Sequence, residues 1–335
     1  MKKVICIGSA TKDIFVQLKE TRLIDNPEDI TAKKLMAFEF GAKEYAQSLK
    51  EEVGGSAVNV ASGLAKNDLK PFVFSRTSRG ETGKWIIKKI SRLGVKKNYM
   101  QQRGAPSSEV SVIISDKKNK DHIILRTGDS VNWFDLDKAL DKFREKVDWI
   151  FLASQKNATE EKMESVVKFA ERKKAKLALN PSSYQISKEI KSLIEFLEYF
   201  EVLFINRDEA IEILQNKGVE VKDNPNYLLE NIFKLGVKVV VITDGASGAY
   251  VYDGKEKLSL GIEAKTIVDT VGAGDSFTSG FLSSYIEEED IKKGLAQGII
   301  NSGSVVSSFG ATNGLLSKKD LKKREREVLN KIKTI

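Results

Sequence analysis

Six short, almost unbroken apolar runs recur along the chain, at residues 4–7, 72–74, 149–152, 176–179, 202–205 and 237–242. Runs of this length without polar alternation suit strands buried on both faces. Between them apolar positions return every three or four residues. That period predicts helices over 57–66, 83–93, 160–173, 186–198, 207–215, 226–235, 275–287, 291–309 and 318–331. Strand–helix alternation predicts an α/β fold with a mostly parallel sheet covered on both sides. In such sheets ligands collect beyond the carboxyl ends of the strands.

One stretch breaks the rhythm. Residues 109–114 and 121–126 alternate around a Lys-rich turn and predict an antiparallel hairpin. Residues 15–18 and parts of 35–52 are expected to join it in a small accessory sheet. The reading is one domain over 1–335 with a lid, about 14–52 and 104–128, inserted in it. No internal repeat or low-complexity linker interrupts it.

Composition narrows the chemistry. The 335 residues are 41% hydrophobic and 30% charged, enough for a large core. No apolar run approaches the length of about 18 residues that a membrane helix needs. The apolar N-terminal run is too short for a leader and reads as a buried strand. Cys6 is the only cysteine, so neither an intrachain disulfide nor a cysteine cluster can form, and a cytoplasmic setting follows. His122, the only histidine, falls at the hairpin turn and reads as a surface or strand-edge residue. Proton transfer is then left to Asp or Glu, and any metal is a hard cation held by oxygen.

The net charge of +8 is concentrated at one end. Residues 317–335 hold eight Lys/Arg against three Asp/Glu. Apolar positions among them suit a solvated terminal helix. Interleaved aromatics are absent, so no nucleic-acid partner is expected.

Two Gly-rich turns lead into helices. The later one reads Asp269-Thr270-Val271-Gly272-Ala273-Gly274-Asp275. Its small residues let a ligand approach backbone N–H groups that a helix start leaves unpaired. Asp275, at the mouth of that turn, is placed to take a proton from an attacking hydroxyl, and the combination suggests phosphoryl transfer. The earlier turn, Gly54-Gly55-Ser56-Ala57-Val58-Asn59, puts an amide one helical turn inside. Asp13 follows the first strand. For Asn59 and Asp13 a ligand hydroxyl and an ordinary turn or loop role both stand on these residues alone. The Walker Gly-x-x-x-x-Gly-Lys-Ser/Thr pattern is absent, and Gly272-Ala273-Gly274 lacks the third glycine of a dinucleotide loop.

Taken in order, these elements resemble the ribokinase or PfkB family of carbohydrate kinases, over nearly the whole chain. Gly54-Gly55 with Asn59 matches the family's N-terminal motif, and 269–275 its C-terminal one. Asn206-Arg207-Asp208-Glu209 matches an Asn-x-x-Glu element, and Thr243-Asp244-Gly245-Ala246-Ser247-Gly248 a Thr-x-Gly-x-x-Gly nucleotide loop.

The resemblance implies a ribokinase-like three-layer α/β/α fold with a small β lid, and a kinase using ATP and Mg²⁺. It implies Asp275 as base and Gly272, Ala273 and Gly274 as N–H donors to the transferred phosphoryl. Thr243, Gly245 and Gly248 would line the nucleotide site, and Asp13, Gly54, Gly55 and Asn59 would hold the acceptor. Asn206 and Glu209 would organise Mg²⁺ through water, and Asp269 a monovalent cation such as K⁺. A homodimer through the lid is the implied assembly.

The chain departs from the pattern in three places, one of them residues 19–50, which run longer than the matching part of a compact family member. Ser78-Arg79-Gly80-Glu81-Thr82-Gly83 stands where relatives often carry Gly-x-Asp-x-x-Gly. The stretch 151–155 lacks the Glu that ribokinases offer to the sugar, which argues against ribose. Arg126 is a candidate for a substrate phosphate or carboxylate, or else a solvent-facing strand residue. A hydroxymethyl group of a small sugar is the expected acceptor, ahead of a nucleoside, a sugar phosphate and a non-catalytic metabolite binder.

Overall fold

The computed structural model describes residues 1–27, 34–104, 108–118, 122–127, 134–154, 159–264 and 266–335. The hairpin turn at 119–121 and Gln155 lie outside them. The first strand, Lys3–Ile7, shows why the apolar runs carry little alternation. Val4 and Cys6 enter one core and Ile5 and Ile7 another, and all four are fully buried. Six parallel strands build the sheet, in the spatial order Lys70–Phe74, Lys3–Ile7, Trp149–Leu152, Lys176–Leu179, Val202–Asn206 and Val239–Thr243. Ala249–Tyr252, Lys257–Leu260 and Lys333–Thr334 extend one edge antiparallel.

Helices Ser56–Lys66, Glu81–Ile90, Ala273–Glu288, Ile291–Val305 and Lys318–Leu329 bury their apolar faces on one side of the sheet. Leu136–Lys142, Glu160–Lys173, Ser183–Lys188, Ile190–Phe196, Arg207–Asn216 and Pro225–Phe233 cover the other. This is the expected α/β architecture. Among the described residues no helix is long and apolar enough to cross a membrane.

Three local expectations change. The helix expected over 186–198 is two helices, because Glu189 sits at φ −121°, ψ 29° and ends one while starting the next. The helix expected over 291–309 stops at Val305, which frees the following loop to reach the Gly-rich turn. The edge hairpin 249–260 and the helix Leu136–Lys142 had no counterpart in the sequence reading.

The lid is a four-stranded sheet in the order Ser48–Gly54, Thr11–Leu18, Val110–Asp116, His122–Thr127. Its register lines up Glu52, Asp13, Ser111 and Arg126 in one row, and Lys50, Phe15, Ile113 and Ile124 two residues further on. Successive residues face opposite sides of a strand. Asp13, Phe15, Ser111 and Ile113 are buried toward the main domain, whereas Ile14, Val16, Val112 and Ile114 remain half-exposed outside. Phe15 and Ile113 pack on Val271, Ala311 and Phe309, with the Phe15 and Phe309 rings 5.0 Å apart. The lid therefore rests on the Gly-rich turn.

Candidate active site

Helix Ala273–Glu288 begins at Gly272, which adopts φ +78°. A Cβ there would lie 2.5 Å from Ala311, so both backbone conformation and space require glycine. Asp269, buried beneath the turn, accepts the N–H of Val271 at 3.0 Å and of Gly310 at 3.2 Å. It does not line the cavities described below; it ties the turn to the loop at 310–311. The Ala273 N–H is engaged within the turn by the Thr270 carbonyl at 3.2 Å, which narrows the expected donor set. The Gly274 and Asp275 N–H groups open the helix with no intrachain acceptor among the described residues. The helix dipole adds partial positive charge there.

Asp275 is fixed by two donors from the neighbouring helix start. Ser56 Oγ donates to Oδ1 at 2.6 Å, and Asn59 Nδ2 to Oδ2 at 2.9 Å. Burial raises its carboxyl above the usual range, against the lowering pull of these donors and of Arg126. The Asn59 carbonyl oxygen is buried and meets no donor among the described residues. An acceptor oxygen left in that state is a place for a ligand hydroxyl. The sequence reading named Asn59 but not Ser56, whose role rests on a contact between segments distant in sequence.

Asp13 lies across from this pair on the lid. Thr11 Oγ1 donates to its Oδ1 at 2.7 Å. Burial raises its carboxyl, opposed by hydrogen bonds from Thr11 and Ser111 and by Arg126, while the Asp275 charge raises it further. Two carboxylates thus face one space, with the exposed Arg126 guanidinium beside both. Gly54 is required by Asp13, since a Cβ would stand 1.8 Å from Oδ2. Gly55, at φ +94°, presses on the Ser9 carbonyl and starts the helix that carries Ser56 and Asn59.

Thr243, Gly245 and Gly248 line a cavity of about 280 Å³ with Gly274, and Ile262, Phe277, Ile299 and Val306 supply much of its apolar wall. The four apolar residues were not foreseen: Phe277 and Ile299 sit at a helical spacing like that of any core, Val306 caps a helix and Ile262 lies in a loop. A smaller cavity, about 150 Å³, adjoins it at Thr243 and Gly274 and brings together Asn206, Glu209, Asp275 and Asn180. Asn180 was also missed; its amide donates to the Phe204 carbonyl at 2.9 Å.

Asn206 and Glu209 form a capping box. Asn206 Oδ1 accepts the Glu209 N–H at 2.8 Å, and Glu209 Oε2 accepts the Asn206 N–H at 2.9 Å. The box aims the half-buried Glu209 along the cavity. Burial, aided by Glu212 and Asp208, pushes its carboxyl up to about 7 against the Asn206 N–H. Such a group gains from a nearby cation. Among the described residues no cluster of three or more His, Cys, Asp or Glu forms a metal cage. The donor set is oxygen-based and sparse, which fits Mg²⁺ held mainly by water and phosphate.

The family model described as pfkB family carbohydrate kinase matches residues 1–318. The ATP-dependent 6-phosphofructokinase of Thermoanaerobacterium thermosaccharolyticum is 25% identical over 286 residues, 83% of this chain and 86% of that protein. The structure of Arabidopsis thaliana ribokinase complexed with ribose and ATP has a TM-score of 0.75 at 19% identity, covering 97% of this chain and 98% of the other. The nucleoside kinase of Methanocaldococcus jannaschii, an archaeal member of the ribokinase family, has a TM-score of 0.74 at 19% identity, covering 98% and 99%. These likenesses show a ribokinase-like fold with its large sheet and small lid.

Proposed function

Because the chain belongs to the pfkB family of carbohydrate kinases, ATP-dependent phosphotransferases with an alcohol acceptor, we propose that it moves the γ-phosphoryl of ATP to a hydroxymethyl group of a small sugar. The observation that carries this reading is the placement of Asp275, held by Ser56 and Asn59 beside the N–H groups of a helix start. Its carboxylate takes the hydroxyl proton as that oxygen attacks phosphorus. Burial, by raising the carboxyl, makes it a stronger proton acceptor.

The Gly272–Gly274 turn brings the Gly274 and Asp275 N–H groups to the charge that builds on the transferred phosphoryl. A preorganised donor of this kind contributes about 3 kcal/mol in other enzymes. The nucleotide base lies in the apolar cavity, and Thr243, Gly245 and Gly248 run beside it. Asp13 and the Asn59 carbonyl oxygen accept acceptor hydroxyls, with Gly54 and Gly55 keeping the two elements close. Asn206 and Glu209 would hold Mg²⁺ through water. That ion would neutralise charge on the phosphates. Asp269 keeps lone pairs beyond its two N–H donors and would hold a monovalent cation such as K⁺.

The three similar proteins named above act on a sugar phosphate, a sugar and a nucleoside, so the acceptor class has to come from this chain. Phe15, the aromatic of the inner lid rows described above, is buried against Phe309 and Val271 instead of standing free to stack on a base. Glu52 and Asp13 share the row of Arg126, and Asp275 lies nearby, so carboxylates outnumber the guanidinium. Both features favour a small neutral sugar over a nucleoside or a sugar phosphate. The test is ADP release with ATP and Mg²⁺ across all three acceptor classes, with Asp275→Asn run alongside. Sugar-dependent turnover lost in the variant supports the reading; turnover with only nucleosides or sugar phosphates reassigns the acceptor. ATP binding without turnover on any acceptor favours a metabolite binder.

A second copy of the chain is the partner we assign to the lid. Its outer face presents Ile14, Val16, Val112, Ile114, Ile123 and Leu125, all half-exposed or more. Such a sheet face is a surface for association. Light scattering at the mass of a dimer, reduced to a monomer by Leu125→Asp, is the expected result.

A further inference from the structure

His122 opens the lid strand His122–Thr127 and shares the inner-face row of Ser115, Gln17 and Ser48. Its Nδ1 stands 3.1 Å from Thr270 Oγ1. Thr270 lines the nucleotide cavity, and its carbonyl accepts the Ala273 N–H that closes the Gly-rich turn. The next residue, Val271, lies under Phe15 and Ile113 of the lid. We propose that His122 is a positioning residue which, through Thr270, fixes the Gly-rich turn against the lid. The inference rests on the kinase reading of the site.

The physical argument concerns how the turn is held. From below, Asp269 fixes Val271 and Gly310, and Gly272 abuts Ala311. From above, Phe15 and Ile113 supply apolar contact, which is non-directional and tolerates sliding. A hydrogen bond weakens steeply with misalignment and so sets a position. The lid carries Asp13, which faces the acceptor; the turn carries the Gly274 and Asp275 N–H groups and the Asp275 carboxylate. The His122–Thr270 contact therefore fixes the acceptor-holding sheet relative to the phosphoryl-holding turn. In-line transfer depends on that relation, and a displacement near 1 Å can cost about 100-fold in rate. Asp116 and Lys34 line a separate cavity that His122 also borders.

The experiment uses the full chain with His122→Ala, Thr270→Val, both together, and His122→Asn. An Asn side chain puts an amide atom where Nδ1 stood. Steady-state transfer is measured with the acceptor found by the ADP-release screen, and amide hydrogen exchange is followed in the segment 268–276. His122→Ala is expected to lower kcat about 10-fold while ATP KM stays within about 2-fold. Exchange in 268–276 quickens, the double variant is no worse than either single one, and His122→Asn recovers most of the loss. Wild-type kcat and exchange in His122→Ala would overturn the inference, as would additive losses or no recovery with Asn. Absence of acceptor-dependent turnover in the wild type sinks the kinase reading instead. The exchange measurement still decides whether His122 holds the turn.

Discussion

Asn59 Nδ2 donates to Asp275 Oδ2 at 2.9 Å, joining the first turns of two helices whose contact residues are 216 positions apart. The same side chain keeps its carbonyl oxygen buried and without a donor among the described residues. On the proposed kinase reading, one amide both orients the base and accepts from the substrate. Asn59→Ala removes both functions, but it also removes a buried unpaired oxygen. The two effects on folding oppose each other, since an unsatisfied buried group costs about 1–3 kcal/mol. We expect Tm to change little, acceptor KM to rise about 10-fold, kcat to fall by a similar factor, and ATP KM to hold. Steady-state kinetics with each substrate varied in turn checks this. An unchanged acceptor KM would place Asn59 outside the acceptor pocket.

Asp275 gives a paired test of chemistry and stability. Its carboxyl is raised in the folded protein, so the folded state holds the proton more tightly than the unfolded state. The contribution of Asp275 to stability is then fully present in acid and is lost as pH climbs from the ordinary Asp range through the raised value. Asp275→Asn carries no such cost. Its Tm is expected to exceed that of wild type near about pH 8 and to converge with it toward about pH 4, while transfer falls at least about 1,000-fold. Thermal melts across pH alongside ADP release separate the outcomes. Equal melting at every pH would mean that Asp275 is not destabilised by ionisation.

These contacts mark how far the sequence could be read. Val4–Ile7 and Val239–Ile242 are apolar without alternation because both sheet faces are covered, so the parallel strands were legible directly. The lid hairpin was legible from its period and turn. Tyr250 and Tyr252 alternate with buried Ala249 and Val251 in a strand of four residues, too short a pattern to stand out. Nothing at Glu189 announces a helix break, since neither Gly nor Pro is present. At the site, Asn206-x-x-Glu209 and the two Gly turns were legible because each is a local motif. Ser56 on Asp275, Asn180 on Phe204 and His122 on Thr270 were not, because only the fold brings those segments together.

Glu209 separates a capping role from a metal role. In a capping box Gln serves as well as Glu, because either side chain can accept the N-cap N–H. Glu209→Gln therefore keeps the Asn206 exchange of hydrogen bonds and removes the charge. The fold is expected to stay within about 1 kcal/mol of wild type. The Mg²⁺ concentration for half-maximal turnover should rise about 10-fold. Glu209→Ala loses the box as well and should cost a further 1 kcal/mol, roughly. Mg²⁺ titrations of activity, with denaturant melts of both variants, make the comparison. A wild-type Mg²⁺ requirement in Glu209→Gln would leave Glu209 with the cap alone.

Gly272 and Gly274 lie two residues apart in one turn and are expected to fail in opposite ways. At Gly272 a methyl group meets φ +78° and the Ala311 backbone at 2.5 Å. Left-handed conformation and overpacking together cost about 3 kcal/mol. Gly272→Ala should therefore lower the denaturant midpoint markedly, with activity lost through displacement of the turn. At Gly274 the added methyl meets nothing within 4 Å, and the residue is already helical. Alanine favours a helix over glycine by about 1 kcal/mol. Gly274→Ala should therefore match or exceed wild-type stability, yet its methyl enters open space at a residue lining both cavities, where the proposed reaction brings the phosphoryl group. A drop in kcat of about 100-fold without loss of stability is expected there. Wild-type turnover in Gly274→Ala would mean that phosphate does not approach this backbone, and the anion-hole role would move off the turn.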